Sequence, residues 1–172
     1  VSYDVAFGGA FYAIVDAEPL KLSLKPAGVS KLIDLGMQIK HAVMGQKEIV
    51  HPEEQDLGFL YGTIFTGKPE CASVHSRNVC IFANGEVDRS ATGSGVSARA
   101  ALHYVKGELK PGQVIEIESI LGSTMKVEIA EVTRFGPHEA VVPRVSGSAS
   151  FTGRNTFYFD PQDPFKKGFL IR

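Results

Sequence analysis

The sequence predicts an α+β fold, in which a mostly antiparallel sheet packs against two helices. Short runs rich in β-branched and aromatic residues recur along the 172-residue chain between glycine, proline and asparagine turns, which is the pattern of strands joined by hairpins. Two longer segments instead carry apolar residues at helical spacing. Because strands and helices do not alternate regularly and no linker divides the chain, we expect a single lobe that spans residues 1–172.

A hairpin and an amphipathic helix are predicted near the start of the chain. The pair Gly8-Gly9 separates two apolar runs, as in a hairpin or a bulged strand pair. These runs span residues 3–7 and 11–17. The helix covers residues 30–44, with Ser30 as its cap and Gly45 at its end. Its buried stripe is predicted to consist of Leu32, Gly36, Ile39 and Val43.

The remaining elements are strands and a second helix. The strands are predicted at residues 59–66, 72–75, 78–83, 114–121, 125–133, 140–145 and 149–159. The second helix covers residues 94–106 and ends at Gly107. Its buried stripe is predicted to be Ala98, Ala101, Leu102 and Val105. Its solvent-facing side is predicted to be Arg99, His103 and Lys106.

Composition and charge exclude several classes of function. No apolar run reaches the ~20 residues that span a bilayer, and no signal-peptide pattern is present, so we expect a cytosolic protein without a membrane partner. The net charge of -1, with both signs interleaved, lacks the basic surface of a nucleic-acid-binding protein. Cys71 and Cys80 match no metal or redox motif and are expected to be free buried thiols. The histidines lack the helical pair spacing of a metal site, so we expect no metal.

The segment from Asp88 to Gly95 carries the strongest chemical signal. Its small and glycine residues open the second helix and allow a ligand to approach the main chain closely. The first amides of a helix have no partner within it and lie at the positive end of its dipole, which favours a carboxylate or phosphate. The alternative is that Thr92 or Ser94 simply caps the helix. The segment by itself does not separate these two interpretations.

A dinucleotide site is a third interpretation of the same glycines. Residues 93–98 fit the pattern G-x-G-x-x-G/A, and Glu116 follows about 20 residues later. A nucleotide-binding segment of this type starts directly from a strand within a βαβ unit, whereas eight residues separate the preceding strand from Thr92. The following region also consists of predicted hairpins. The pattern therefore favours a carboxylate site over a dinucleotide site.

Residues 87–99, VDRSATGSGVSAR, closely resemble the second active-site motif of the proline racemase family. Four further segments resemble its carboxy-terminal half in the same order: DVAFGGAFYAIVDA at 4–17, HPE at 51–53, ESILGS at 118–123, and the tail from FDP at 159–161 to GF at 168–169. The resemblance covers almost the whole chain. It is therefore more specific than any single glycine motif.

The resemblance implies a diaminopimelate-epimerase-like fold of two related lobes, each a mostly antiparallel sheet wrapped around a central helix. The substrate would lie between two opposed helix N-termini. The first catalytic cysteine of the family lies in a Met-Cys-Gly-His type motif, which this sequence does not contain. Because the chain starts at Val1 without an initiator methionine and residues 2–6 already resemble the inside of a strand, we expect it to be the carboxy-terminal half of a longer enzyme. The family also implies that no cofactor is needed and that a homodimer forms.

Thr92 stands where racemases and epimerases of the family have a cysteine. Two-sided proton transfer needs a thiol on each face of Cα, and an aliphatic hydroxyl is far too weak an acid to replace one. A threonine here resembles the branch that dehydrates trans-3-hydroxy-L-proline to a pyrroline carboxylate. The isomerases, which are proline racemase and 4-hydroxyproline 2-epimerase, are the alternative that Thr92 argues against. A carboxylate-binding module without chemistry is the third possibility.

Roles follow from the matched positions in the motif. Asp88 would bind the secondary ammonium of the substrate, and the amides of Gly93 and Ser94 would hold its carboxylate. Phe82 would pack against the ring. Thr92 would form a hydrogen bond near the ring or the departing hydroxyl. Without the resemblance, a loop-capping carboxylate would be the simpler interpretation of Asp88, and a core aromatic that of Phe82; Cys80 is expected to be a packed thiol rather than a nucleophile.

Overall fold

The structure, a computed structural model, describes residues 1–171. Its strands are β1 (Asp4–Phe7), β2 (Phe11–Asp16), β3 (Leu60–Gly67), β4 (Ser76–Phe82), β5 (Glu86–Val87), β6 (Val114–Glu118), β7 (Thr124–Phe135) and β8 (His138–Ser146). The α-helices are α1 (Val29–Gln46) and α2 (Gly93–Val105), and single 3-10 turns lie at Pro26–Gly28 and Gln55–Leu57. Within residues 1–171, every helix is too short or too polar to cross a bilayer.

The strands form one mixed sheet in the order β1-β2-β3-β4-β6-β7-β8, and the short β5 pairs with β4. Neighbouring strands are antiparallel except in the pairs β2-β3 and β4-β6. Each parallel pair is joined through a helix, α1 for the first and α2 for the second, because parallel neighbours need a long crossover. The predicted mostly antiparallel sheet is confirmed. The sequence patterns did not indicate the two helical crossovers.

The two helices lie on opposite faces of the sheet. Side chains alternate along a strand, so Ala13 and Val15 of β2 face the core around α1, whereas Tyr12 and Ile14 face α2. The sheet curves far enough that β1 and β2 at one end and β7 and β8 at the other all contact α2. This geometry confirms the predicted sheet wrapped around a central helix.

Helix α1 follows the predicted pattern in its interior but not at its ends. Its buried residues are the predicted Leu32, Gly36, Ile39 and Val43. The prediction that Ser30 caps the helix is wrong, because the 3-10 turn before it leads directly into Val29 and Gly28 is the N-cap. The predicted end at Gly45 is also wrong. The helix continues to Gln46, and the extended backbone of Lys47 ends it.

Helix α2 ends as predicted, but one of its faces was assigned wrongly. Gly107 adopts a φ of 72°, which ends the helix in the left-handed conformation that glycine tolerates best. Arg99, predicted to face solvent, is only 4% exposed, and Val105, predicted to be buried, is 71% exposed. The curved sheet encloses the middle of α2 on several sides, so a polar face is buried there while the last turn extends beyond the sheet.

Two predicted strands are wrong. Residues 72–75 form a turn before β4, and residues 149–159 have no regular structure. The second segment alternates like a strand, but its aromatic side chains pair with no sheet edge and are exposed. They are Phe151, Phe157, Tyr158 and Phe159. A strand pattern therefore marks a segment able to pair, but it does not specify which strand the segment pairs with.

Two glycines of α1 predict opposite effects of the same substitution. A Cβ at Gly36 would lie 2.8 Å from the Cβ and Cγ1 atoms of Ile81, whereas one at Gly45 would meet nothing within 4 Å. We expect Gly36→Ala to destabilise the fold by about 1–3 kcal/mol through overpacking. Gly45→Ala should instead stabilise it by about 0.5–1 kcal/mol, because alanine loses less backbone entropy in a helix. Urea unfolding of both variants measures the difference, and equal effects would contradict this packing.

Candidate active site

The loop between β5 and α2 brings two of the predicted site side chains, Asp88 and Thr92, together through Ser90. The Oδ1 atom of Asp88 accepts a hydrogen bond from the backbone N–H of Ser90 at 2.8 Å. Its Oδ2 atom accepts one from the hydroxyl of Thr92 at 3.0 Å. The Ser90 hydroxyl in turn accepts the backbone N–H of Thr92 at 3.0 Å. Asp88 therefore caps the loop, as its simpler interpretation predicted, and the same carboxylate orients Thr92.

Thr92 occupies the N-cap position of α2 in an unusual conformation. Its φ is 65° and its ψ is 99°, although a β-branched residue rarely adopts positive φ. Strain of this kind costs about 1–3 kcal/mol and is found mainly at functional sites. The Thr92 side chain makes no capping hydrogen bond to the helix, since its hydroxyl is bound to Asp88.

The first amides of α2 are therefore not covered by a capping side chain. The other candidate cap, the hydroxyl of Ser94, is 2.7 Å from the Tyr12 hydroxyl instead. A Cβ at Gly93 would meet nothing within 4 Å, so the main chain there faces open space. The interpretation of Thr92 or Ser94 as a simple helix cap is thus wrong. What remains is an open helix N-terminus, which stabilises an anion by about 0.3–1 kcal/mol through its dipole alone.

The β1–β2 turn forms the support on which this N-terminus rests. A Cβ at Gly8 would lie 2.2 Å from the carbonyl oxygen of Ser94 and 2.3 Å from the backbone nitrogen of Ala98. Only glycine permits this approach. The pair Gly8-Gly9, which the sequence presents only as a turn signal, therefore also positions α2.

Aromatic side chains line the same side of the sheet. Phe82 at the end of β4 is half-buried, with its ring centroid 5.5 Å from that of Tyr61. The ring centroid of Tyr61 lies 6.0 Å from that of Tyr12, which is fully buried. Burial raises the pKa of Tyr12 to about 12, so its hydroxyl stays protonated beside Ser94. Phe82 packs at the edge of this cluster, and its contact with a substrate ring stays a prediction. Local sequence patterns gave no sign of Tyr12 or Tyr61.

Cys80 lies beneath Thr92 and is a core thiol. It is 1% exposed, and its thiol is beside the Thr92 side chain. Burial raises its pKa to about 12, so it carries no thiolate near neutral pH. This agrees with the prediction of a packed thiol. Cys71 is free, as predicted, but the prediction that it is buried is wrong, because it lies exposed in the turn before β4.

Arg99 lies at the centre of a buried polar network behind the loop. Its Nη1 atom donates to the Ser76 hydroxyl at 2.7 Å and to the Asn78 Oδ1 atom at 2.9 Å. Its Nη2 atom lies 2.9 Å from the Nε2 atom of His103. Burial lowers the pKa of Arg99 to about 10, so it remains charged near neutral pH. These contacts explain why a charged residue is tolerated inside the sheet.

Histidine protonation should make the fold sensitive to acid. The His103 Nδ1 atom is 2.6 Å from Glu108 Oε2, so Nδ1 carries the proton and Nε2 accepts from Arg99. Burial, followed by the Arg99 charge, lowers the pKa of His103, and the same causes lower that of His75. The folded protein thus binds fewer protons than the unfolded chain below about pH 6.5, the ordinary histidine pKa. The contribution of these two neutral histidines to the free energy of unfolding is fully present above that pH. It is lost as the pH falls towards their lowered pKa values.

We expect the thermal midpoint to drop between about pH 7 and about pH 5, with a smaller drop in the His103→Gln variant. Glutamine stays neutral and still offers an oxygen to Arg99. His41→Gln, at an exposed helix position, is the matched control and should keep the parent's pH dependence. A parent whose midpoint rises on acidification would contradict the assignment of a neutral His103.

Metal-ligand groups do not converge in the part of the chain that the structure describes. Residues 1–171 contain no cluster of three histidine, cysteine or acidic side chains able to hold a metal ion. His51 lies among phenylalanine rings, and its Nδ1 atom accepts the backbone N–H of Glu54 at 2.8 Å. Its role is therefore to hold the loop that follows it. That the chemistry needs no metal or cofactor stays a prediction.

Comparison with known proteins gives consistent matches. The sequence profile of the family described as proline racemase matches residues 1–170. The trans-3-hydroxy-L-proline dehydratase of Colwellia psychrerythraea is 49% identical over 172 residues, which are the whole chain and 48% of that protein. The chain spans about half the length of the curated relatives it matches.

Two solved structures share the fold. A hydroxyproline epimerase from Agrobacterium vitis, with bound trans-4-hydroxy-L-proline, superposes with a TM-score of 0.86 at 30% identity. The match covers 98% of this chain and 48% of that one. A probable proline racemase from Agrobacterium radiobacter, with bound carbonate, gives a TM-score of 0.88 at 29% identity over 99% of this chain and 50% of its own. These likenesses confirm the predicted fold class.

Proposed function

The chain belongs to the proline racemase family, and we propose that it is the carboxy-terminal lobe of a cofactor-independent hydro-lyase. The substrate is trans-3-hydroxy-L-proline and the product a pyrroline-2-carboxylate. The observation that carries this proposal is Thr92, a hydroxyl tied to Asp88 at the position where isomerases of the family have a thiol. The match to a dehydratase over the whole chain supports the same choice.

The open N-terminus of α2 is the carboxylate site. The amides of Gly93 and Ser94 point out of the helix without a side-chain cap. When the Cα proton leaves, negative charge spreads onto the substrate carboxylate, and these fixed dipoles bind the more charged form more strongly. Such differential binding lowers the barrier to proton removal.

Asp88 binds the secondary ammonium of the substrate. Each carboxylate oxygen can accept two hydrogen bonds, and each oxygen of Asp88 accepts one from the loop. One acceptor position per oxygen thus remains for the two N–H groups of the ammonium. Because the loop already orients the carboxylate, little side-chain entropy is lost when the substrate binds.

Thr92 orients the departing 3-hydroxyl. Its proton is committed to Asp88, which leaves its oxygen as an acceptor for the substrate hydroxyl. In the reaction a cysteine thiolate from the other lobe takes the Cα proton, the Cα–C3 double bond forms and the C3–O bond breaks. The proton held by the thiol then joins the departing hydroxyl, which leaves as water and restores the thiolate. The substrate thereby loses one hydrogen and one hydroxyl as water, and no oxidant or reductant is required.

An isomerase is the second candidate, because the structural neighbours are an epimerase and a probable racemase. Inversion needs a proton donor on each face of Cα, and the Thr92 hydroxyl is too weak an acid for that role. A carboxylate-binding module without chemistry is the third candidate. It would retain the amides of α2 and lack the thiol of the other lobe.

Incubation in D2O distinguishes the dehydratase, the isomerase and the binding module. The full-length protein is mixed with trans-3-hydroxy-L-proline, trans-4-hydroxy-L-proline and L-proline, and NMR follows pyrroline carboxylate formation and Cα deuteration. We expect loss of water from the 3-hydroxy compound only. Inversion of either other compound would reject the dehydratase in favour of an isomerase, and binding of all three without reaction would leave only the module.

The assembly and location of the enzyme complete the proposal. The family leads us to expect a homodimer that acts on a free imino acid in the cytosol, without a nucleic-acid or membrane partner. Native mass spectrometry of the full-length protein tests the dimer, and a monomer at micromolar concentration would reject it.

A further inference from the structure

Asn78 holds the main chain immediately before Thr92. Its Nδ2 atom donates to the carbonyl oxygen of Ala91 at 3.1 Å, and both groups are buried. On the other side of the same peptide unit, the N–H of Thr92 donates to the Ser90 hydroxyl. The Ala91–Thr92 peptide is thus fixed from both edges. We propose that Asn78, oriented by Arg99, is a positioning residue that sets the direction of the Thr92 hydroxyl and of the first amides of α2.

Arg99 decides which way the Asn78 amide points. An asparagine amide can present either its oxygen or its nitrogen, and the two orientations fill the same space. The Arg99 Nη1 atom is a donor and requires an acceptor, so the Asn78 oxygen faces Arg99. The nitrogen must then face Ala91. A reversed amide would place two donors against each other at Arg99 and two oxygens against each other at Ala91.

The hydrogen bond from Asn78 to Ala91 matters because the backbone of Thr92 is strained. At a φ of 65°, the residue lies outside the conformations that threonine prefers and stays there only while its surroundings hold it. Asp88 and Ser90 hold the loop from the side of the site, and Asn78 holds it from the core. Without the core contact, the Ala91–Thr92 peptide can rotate towards ordinary values, which turns both the hydroxyl and the amide of Gly93 away from a substrate.

The role in turnover rests on the proposed function, whereas the role in geometry does not. Asn78→Asp is nearly isosteric, and its carboxylate still accepts from Arg99 as an ion pair. It has no donor for Ala91, so an oxygen faces the carbonyl there. Asn78→Ser is a second variant, which still accepts from a nearby donor but is too short to reach Ala91. Ser76→Ala is the matched control, because it removes another acceptor of the same Arg99 nitrogen and no bond to Ala91.

For the Asn78→Asp full-length enzyme we expect kcat to fall by up to about 10²-fold with trans-3-hydroxy-L-proline, the scale of a small misplacement of reacting groups, with a smaller change in KM. The kcat of Asn78→Ser should also fall, and Ser76→Ala should retain the parent kcat. We expect the thermal midpoint of Asn78→Asp to fall, because a buried oxygen then faces the Ala91 carbonyl. Kinetics are therefore compared at a temperature well below the midpoint of each variant, so that a loss of turnover is not a loss of folding.

Amide resonances test the geometry without turnover. In 15N-labelled full-length protein, we expect the N–H signals of Thr92, Gly93 and Ser94 to move in Asn78→Asp and to stay in place in Ser76→Ala. Unmoved signals together with a parent-like kcat in both Asn78 variants would overturn the proposal. If the parent dehydrates nothing, the proposed function fails by itself, and the amide signals still decide the role of Asn78.

Discussion

Asp88→Asn should lower kcat/KM of the full-length enzyme by about 10²–10³-fold, the usual cost of removing one preorganised electrostatic partner from a site. Asparagine keeps the shape, and its oxygen can still accept the N–H of Ser90. The Thr92 hydroxyl can turn to accept from the new amide, so the loop should keep its fold. What disappears is the negative charge that we propose binds the substrate ammonium. Steady-state kinetics with trans-3-hydroxy-L-proline measure the loss.

The chain contains a matched control for this substitution. Asp16 accepts the backbone N–H of Glu18 at 3.0 Å, two residues along the chain, as Asp88 accepts that of Ser90. Asp16 is exposed at the end of β2, so Asp16→Asn removes the same kind of turn carboxylate away from the site. We expect it to retain the parent kcat/KM. Equal losses in the two variants would show that only loop stability had been measured.

Thr92→Cys should introduce inversion at Cα of L-proline and trans-4-hydroxy-L-proline. A thiol has an ordinary pKa near 8.5, which a helix N-terminus lowers, so it can protonate the second face of Cα. The charge of Asp88 acts in the opposite direction, but the bound substrate ammonium neutralises it. Since a positioned acid or base contributes about 10²–10⁴-fold, inversion should rise at least about 10²-fold above the parent. Chiral chromatography and Cα deuteration in D2O measure the gain.

The thiol introduced by Thr92→Cys would lie beside Cys80, and this neighbour sets the conditions of the assay. Cys80 lies beside the Thr92 side chain, so the assay requires a reductant to prevent a bond between the two sulfurs. Thr92→Ser is the control variant: it keeps the hydroxyl and its bond to Asp88 and should dehydrate without inverting. If Thr92→Ser inverted as fast as Thr92→Cys, the thiol would not be the proton donor, and the residue would not separate lyases from isomerases.

The features predicted from sequence are those that depend on neighbouring residues in the chain. The buried stripe of α1 follows from the spacing of its own apolar residues, and the loop from Asp88 to Gly95 follows from a contiguous motif. Burial of Arg99 follows instead from a sheet that encloses α2 on several sides, which no local period encodes. The predicted strand at 149–159 failed for a similar reason, because pairing depends on a partner strand that the local pattern does not specify.

The features of the candidate site also fall into those that follow from the contiguous motif and those that depend on the strand order. The motif placed Asp88 and Thr92 together, and their hydrogen bond confirms that proximity, whereas the roles of both residues in binding and chemistry stay predictions. Tyr12 reaches Ser94 across 82 positions of sequence, and Asn78 reaches Ala91 from a separate strand. Side chains of this kind enter a site through topology. They become visible only when the strand order is known.

The wrapping of the sheet around α2 has a consequence for synthesis of the protein. Helix α2 contacts both β1 at the start of the chain and β8, which ends at Ser146. The ribosome adds about 5–20 residues per second, so roughly 2–8 s pass between completion of α2 and completion of β8. During that interval the side chains of Val96 and Ala100 lack the β7 residues that later cover them. We therefore expect helix α2 to be a contact point for chaperones while the chain is being made.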